Sequence, residues 1–241
     1  MTVSTPPLAR TPLHHWHAAQ GARFAERDGW QVPQAYADVE RETAAARTGL
    51  ALADVSAFPK VSLRGPAVDE AADYLLGPSP ATRPCRAATL RHGAPGLACR
   101  LTPDHLLLLA STTAPAPLAD ALAHLRHEPR LLESDVTSAH AGFWLIGPHA
   151  EGALRRLTSL DPAALAPPGS CAETGLAGVQ ALLVPSPEVG VPSVRVYVSW
   201  ELGEYVWESL LDAGRGWGIV PLGMDALAAL RAEAHGRGAG G

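Results

Sequence analysis

Two stretches of the chain read alike. One is Asp54-Val55-Ser56 followed by Val61-Ser62-Leu63-Arg64-Gly65-Pro66; the other is Asp135-Val136-Thr137 followed by Phe143-Trp144-Leu145-Ile146-Gly147-Pro148. Each runs Asp-Val-hydroxyl, then a strand, then Gly-Pro, then a helical pattern, through Leu76 in the first copy and Leu157 in the second. Glycine lets the chain turn out of a strand. Proline at the first helical position gives up only an N–H that has no intrahelical partner. Behind the corners, apolar residues recur at helical spacing: Val68, Ala71, Ala72 and Leu75, then Ala150, Ala153, Leu154 and Leu157. Two related half-domains are expected from this repeat.

Working outward, Leu106 to Ala110 reads as a buried strand and Val179 to Val184 as another. Ser193 to Ser199 alternates, which predicts Val194, Val196 and Val198 inward and Arg195 and Tyr197 on the other face. Helices are expected over Asp38 to Arg47, Pro115 to Glu128, Glu201 to Asp212 and Leu222 to Ala234. Strands mixed with helices argue for an α+β layered fold. The expected divisions are a flexible start (1–10), a first half (11–133), a second half (134–235) and a disordered tail (236–241).

Composition narrows the function classes. Of 241 residues, 47% are apolar and 18% charged, so most of the chain has ample surface to bury and is not disordered. The net charge of −5 supplies no field for nucleic acid or an anionic membrane. Met1 to Arg10 lacks a basic segment leading into an apolar run, so no secretory signal is expected. The most apolar uncharged stretch, near Leu106 to Ala119, is interrupted by Pro115 and Pro117 and is too short for a bilayer span. Cys85, Cys99 and Cys171 form no CxxC pair, and a reduced cytoplasmic setting is the simpler reading. His14, His15 and His17 around Trp16 lack a completing third element, so no metal is assigned. Asp54 and Asp135, at equivalent repeat positions, read as residues that cap or turn the chain.

The N-terminal segment carries Thr11-Pro12-Leu13, His17, Gly29-Trp30, Pro33 and Tyr36, then Gly49 and Asp54-Val55-Ser56. The C-terminal segment carries Pro221, Gly223, Ala226, Leu230-Arg231, Glu233 and Ala234. Their order over Thr11 to Ala234 resembles the glycine-cleavage T-protein (aminomethyltransferase) family. The resemblance implies two α+β half-domains of ferredoxin-like character around a central tetrahydrofolate cavity. It also implies a folate-binding domain without the C-terminal barrel that family members usually add. Binding residues implied with it are Trp30, Tyr36 and Phe58, whose aromatic faces suit a flat pterin, together with Arg195, Tyr197 and Arg231. Core packing accounts for the three aromatics equally well. Arg195 either meets an anion in the cavity or reaches solvent.

Departures from the family pattern matter for chemistry. Its paired aspartates, one of which assists methylene transfer, would fall within Leu90 to Leu101, with Ala94-Pro95 at those positions, and no Asp or Glu occurs between Asp73 and Asp104. Its Gly-Tyr-Thr-Gly-Glu-Asp-Gly-x-Glu run is replaced by Pro185 to Val194, and the last glutamate, which holds the pterin, aligns with Arg195. An arginine offers only donors, and each polar pterin group left unpaired costs about 1–3 kcal/mol. No catalytic residue is therefore assigned, and whether the chain turns over a substrate is left open. One reading is a tetrahydrofolate-binding-like protein of one-carbon metabolism. A second is a non-catalytic subunit beside an oxidase, because Gly169-Ser170-Cys171-Ala172-Glu173-Thr174 is similar to segments of the gamma chain of heterotetrameric sarcosine oxidase. Iron–sulfur-repair relatives carry a Lys-Gly-Cys motif, whereas Lys60 is followed by Val61.

Overall fold

In a computed structural model describing residues 7–77, 86–91, 95–165 and 169–238, the two copies of the repeat are built alike. Asp54 Oδ1 accepts the Ser56 N–H at 2.9 Å, and Asp135 Oδ1 accepts the Thr137 N–H at 2.8 Å. Both aspartates thus close the same local turn. Gly65 and Gly147 stand at φ 131° and 133°. A Cβ at either would strike a facing carbonyl, that of Arg130 or of Gly49, so both corners require glycine.

The chain starts with β1 (Ala9–Arg10), α1 (His14–Ala19), β2 (Arg23–Arg27) and β3 (Trp30–Ala35), whose strands form a small sheet ordered β1-β3-β2. There follow α2 (Val39–Thr48), β4 (Ala51–Asp54), β5 (Lys60–Arg64), α3 (Val68–Leu76), β6 (Arg86–Thr89), β7 (Gly96–Thr102), β8 (His105–Ala110) and α4 (Ala116–Leu122). The second part holds β9 (Leu132–Asp135), β10 (His140–Ile146), α5 (Ala150–Leu154), β11 (Ala172–Leu176), β12 (Val179–Pro185) and β13 (Ser193–Ser199). It closes with α6 (Gly203–Gly214), β14 (Val220–Leu222) and α7 (Met224–Gly238). A five-stranded sheet runs β6-β7-β8-β5-β9 and a six-stranded sheet β11-β12-β13-β10-β4-β14.

The repeats exchange strands. β4, which leads into the first Asp-Val turn, pairs with β10 of the second copy, Asp54 opposite Phe143. β9, which leads into the second turn, pairs with β5 of the first, Asp135 opposite Val61. These are equivalent positions, and the expected boundary at 133/134 falls inside β9. The fold is α+β, with helices outside and two sheets facing each other. One face of the five-stranded sheet packs Leu63, Leu106 and Leu108 under α3 and α4. The six-stranded sheet packs Phe143, Leu145 and Val196 against α5 and α6. Between the sheets, Leu97, Cys99, Leu107 and Leu109 meet Leu182, Val184 and Tyr197. A sheet buried on both faces reads as a continuous apolar run, as Leu106 to Ala110 does.

Some boundaries move. Asp38 caps α2 by accepting the Arg41 N–H at 2.7 Å. The Pro115–Glu128 helix stops at Leu122 and continues as turns. The last helix begins at Met224, because Leu222 pairs with Ala53 in the sheet. α7 extends to Gly238, taking in the first residues of the expected disordered tail, and the rest of that tail lies outside the described residues. Of the expected flexible start, residues 1–6 also lie outside, while Ala9 and Arg10 form β1. No helix among the described residues is long and apolar enough to cross a membrane.

Candidate functional site

Arg195 marks one end of the seam between the sheets. On β13 it stands opposite Trp144 of β10, and its guanidinium carbon lies 4.1 Å from the centre of that ring, a cation–π geometry. The β12–β13 connection turns through Pro187–Val189 and closes at Gly190 with φ 68°, which presents Glu188 back to β13. Arg195 Nη2 donates to Glu188 Oε1 at 2.6 Å and to Ser111 Oγ at 2.6 Å, and Nη1 donates to the Ala110 carbonyl at 3.1 Å. Ser111 Oγ in turn donates to Glu188 Oε1 at 2.9 Å. From α7, Arg231 lies 3.3 Å from Glu188 Oε2 and donates to the Ser111 carbonyl. Arg195 is 0% exposed, so it reaches neither solvent nor an open cavity. Both faces of β13 are buried because the second sheet covers the face that carries Arg195 and Tyr197. Buried cations are held by such partners because the desolvation cost is large.

The seam is open at its other end. A cavity of about 370 Å³ lies between the lobes, with Ser62, Arg64 and His105 on one side and His140, Glu173 and Tyr197 on the other. Ser62 Oγ and His105 Nε2 are 3.0 Å apart. Burial lowers the His105 pKa, and the nearby Arg64 charge adds to the effect. Burial also lowers His140, helped by Lys60. Two histidines biased toward the neutral form, serine hydroxyls and a carboxylate make this end a place for a small polar ligand with an apolar body.

The expected binding residues do not share one cavity. Arg195 and Arg231 meet through Glu188. Phe58 and Arg231 border a pocket of about 150 Å³ with Leu227, and Tyr197 lines the cavity of about 370 Å³. Trp30 stands on β3 with its ring 6.1 Å from Trp200. The Tyr36 hydroxyl lies 2.6 Å from His17 Nδ1, and His17 Nε2 lies 2.9 Å from Asp54 Oδ2. Burial raises the Tyr36 phenol pKa, with the Asp54 and Glu42 charges adding to it, so the hydroxyl stays a donor and His17 donates through Nε2–H to Asp54. Burial alone would raise Asp54, but the hydrogen bonds from His17 and Ser56 hold it below the ordinary carboxylate value. Asp54 thus anchors α1 as well as turning the chain.

Three polar groups of these networks had no clear sequence signal. Glu188 lies in a proline-rich turn, and Ser111 gains its role only through the facing of the sheets. Lys60 is 1% exposed, and its Nζ donates to the Ser56 carbonyl at 2.8 Å and the Phe58 carbonyl at 3.0 Å. Burial drives its pKa down to about 7, against the opposing pull of Asp54 and Asp135. Of the aspartate-equivalent pair, Ala94 lies outside the described residues. Among the described residues no group of three His, Cys, Asp or Glu side chains is placed to hold a metal ion.

Comparison with known proteins bears on this geometry. The GCVT N-terminal domain family matches residues 13–240. The aminomethyltransferase of Geobacillus kaustophilus is 31% identical over 236 residues, spanning 94% of this chain and 64% of that protein. The aminomethyltransferase of Saccharopolyspora erythraea is 29% identical over 233 residues, spanning 93% and 63%. This chain thus spans less than two thirds of the length of these relatives. Among solved structures, the glycine cleavage system aminomethyltransferase T of Bartonella henselae superposes with a TM-score of 0.73 at 21% identity, covering 95% of this chain and 63% of that one. A chain of the heterotetrameric sarcosine oxidase of Corynebacterium sp. U-96 superposes with a TM-score of 0.59 at 24% identity, covering 88% and 97%. Through its GCVT N-terminal domain, the chain belongs to the glycine-cleavage T-protein (aminomethyltransferase) family.

Proposed function

We propose that the chain is a non-catalytic member of this family, a cytoplasmic subunit that assembles with an amine-oxidising partner and carries out no aminomethyl transfer itself. The observation that carries the reading is the closure of the Arg195 fork by Glu188 and Ser111. A pterin edge presents donors that a carboxylate accepts. Position 195 offers donors only, and the neighbouring carboxylate of Glu188 already accepts from Arg195 and Ser111 and pairs with Arg231. Two pockets border this cluster, one of about 150 Å³ beside Arg231 and one of about 700 Å³ along Pro185 to Ser193, and neither Arg195 nor Glu188 lines either of them. These residues do not fit tetrahydrofolate, and no transfer step is derived through it. The lack of Asp and Glu between Asp73 and Asp104 supports the same conclusion. The likeness to a chain of a heterotetrameric oxidase supports the assembly role.

A second reading keeps a folate-like ligand in the open end of the seam, favoured by the 370 Å³ cavity with Glu173 and Tyr197 on its lining. Calorimetric titration of the purified chain with tetrahydrofolate, alongside an aminomethyl-transfer assay, separates the two. The first reading expects no heat at millimolar ligand and no transfer, and expects the native protein to elute from gel filtration together with a second chain that oxidises an amine. Micromolar binding that is lost in Glu173→Gln supports the second reading and overturns the first.

A further inference from the structure

The apolar layer between the sheets holds two thiols. Cys99 lies on β7 at 0% exposure, and Cys171, at 4%, immediately precedes β11. Their strands belong to different sheets, and the backbone brings them together. Cys99 pairs with Ala87 across β6 and β7. The Ala87 N–H donates to the Gly169 carbonyl at 2.8 Å, and Arg86 forms a bridge with Ser170. The residues before Cys171 are thereby joined to the edge of the five-stranded sheet, and both sulfurs enter one apolar cluster. There the Cys99 and Cys171 thiols lie within hydrogen-bonding reach, and each shifts the titration of the other. We propose that Cys99 and Cys171 are a reactive dithiol that a hydroperoxide converts into a disulfide joining the two lobes.

The two sulfurs differ in character. The hydrogen bond from Cys99 lowers the Cys171 pKa, with help from Arg86 and against the effect of burial. Giving that hydrogen bond raises Cys99, and burial raises it further. The thiolate is the nucleophile, so Cys171 attacks and Cys99 resolves. Cys171 keeps 4% exposure, and the nearby cleft lined by Ala87, Leu97 and Gly169 is the approach the proposal gives a small peroxide. In the first step the Cys171 thiolate attacks one peroxide oxygen: the S–O bond forms, the O–O bond breaks, and the leaving hydroxide or alkoxide takes up a proton. In the second step Cys99 sulfur attacks Cys171 sulfur: the S–S bond forms, the S–O bond breaks, and the hydroxyl leaves as water with the Cys99 proton. Two thiols and one hydroperoxide give one disulfide, one water, and one alcohol (a second water when the reagent is hydrogen peroxide). This inference is independent of the functional reading above.

The test is treatment of the reduced full chain with one equivalent of hydrogen peroxide, followed by thiol titration in denaturant and peptide mass mapping. The chain has three cysteines, and Cys85 lies outside the described residues. The expected result is loss of two thiols, a Cys99–Cys171 linked peptide pair, and recovery of all thiols with dithiothreitol. Cys85→Ser keeps that reaction, and Cys171→Ser abolishes it. Retention of all three thiols overturns the proposal, as does a link through Cys85 or accumulation of sulfinic acid at Cys171 beside a free Cys99.

Discussion

The two ends of the seam between the sheets use similar side chains and reach opposite states. At one end Arg195 meets a carboxylate, a hydroxyl, a carbonyl and an indole face, all from its own chain. At the other, Arg64 and Glu173 stand exposed on opposite sides of an open cavity, and neither makes an ion pair with any described residue. A buried cation is tolerated where the fold neutralises it, and the groups left uncommitted are those a ligand or partner can still engage. In this molecule the end that holds Arg195 is the neutralised one.

Lys60 sharpens the contrast most. It is a buried cation held by carbonyls, with no carboxylate in direct contact, and its pKa falls from the ordinary 10.5 to about 7. Between those values the unfolded chain binds a proton that the folded one does not, so stability rises with pH across that window. The Lys60 contribution between pH 7 and pH 10 is ~4 kcal/mol. Urea unfolding at both pH values should show this rise in the wild type and lose it in Lys60→Met. Equal slopes in the two proteins would mean the amine is not held as described. Next in size is Glu188→Ala, which leaves Arg195 buried without its carboxylate and should cost about 3 kcal/mol of unfolding free energy.

Effects at the open end should be smaller. The lowered His105 pKa means that the folded state resists protonation, so stability is lost as pH falls below the ordinary value of 6.5. His105→Gln should reduce that acid sensitivity by less than about 1 kcal/mol, read from unfolding at pH 7 and pH 5. Arg64→Gln and Glu173→Gln should each change stability by no more than about 0.5 kcal/mol. A cost at either position matching that of Glu188→Ala would erase the distinction between the two ends.

The sequence made the local parts legible. The Gly-Pro corners, the Asx-type turns at Asp54 and Asp135, and the limits of β13 follow from spacing and backbone chemistry over a few residues. The exchange of β4 and β9 was not legible, because periodicity says which residues share a face and nothing about which strand lies alongside. For the same reason Val194, Val196 and Val198 marked one buried face of β13, while burial of the Arg195 and Tyr197 face depends on the other sheet. Glu188 and the Cys99–Cys171 contact also arise from long-range packing, and no motif of the sequence carries them. Trp30 and Tyr36 were matched to the family pattern, and the fold uses them against Trp200 and His17.

Arg195 is neutralised from within the chain, and a double-mutant cycle tests that most directly. Urea unfolding of wild type, Glu188→Ala, Arg195→Met and the double variant gives the coupling energy between the two side chains. A coupling above about 2 kcal/mol is predicted for a desolvated charge pair. Additive effects, with coupling near zero, would show that Arg195 and Glu188 do not satisfy each other and would contradict the internal neutralisation of Arg195.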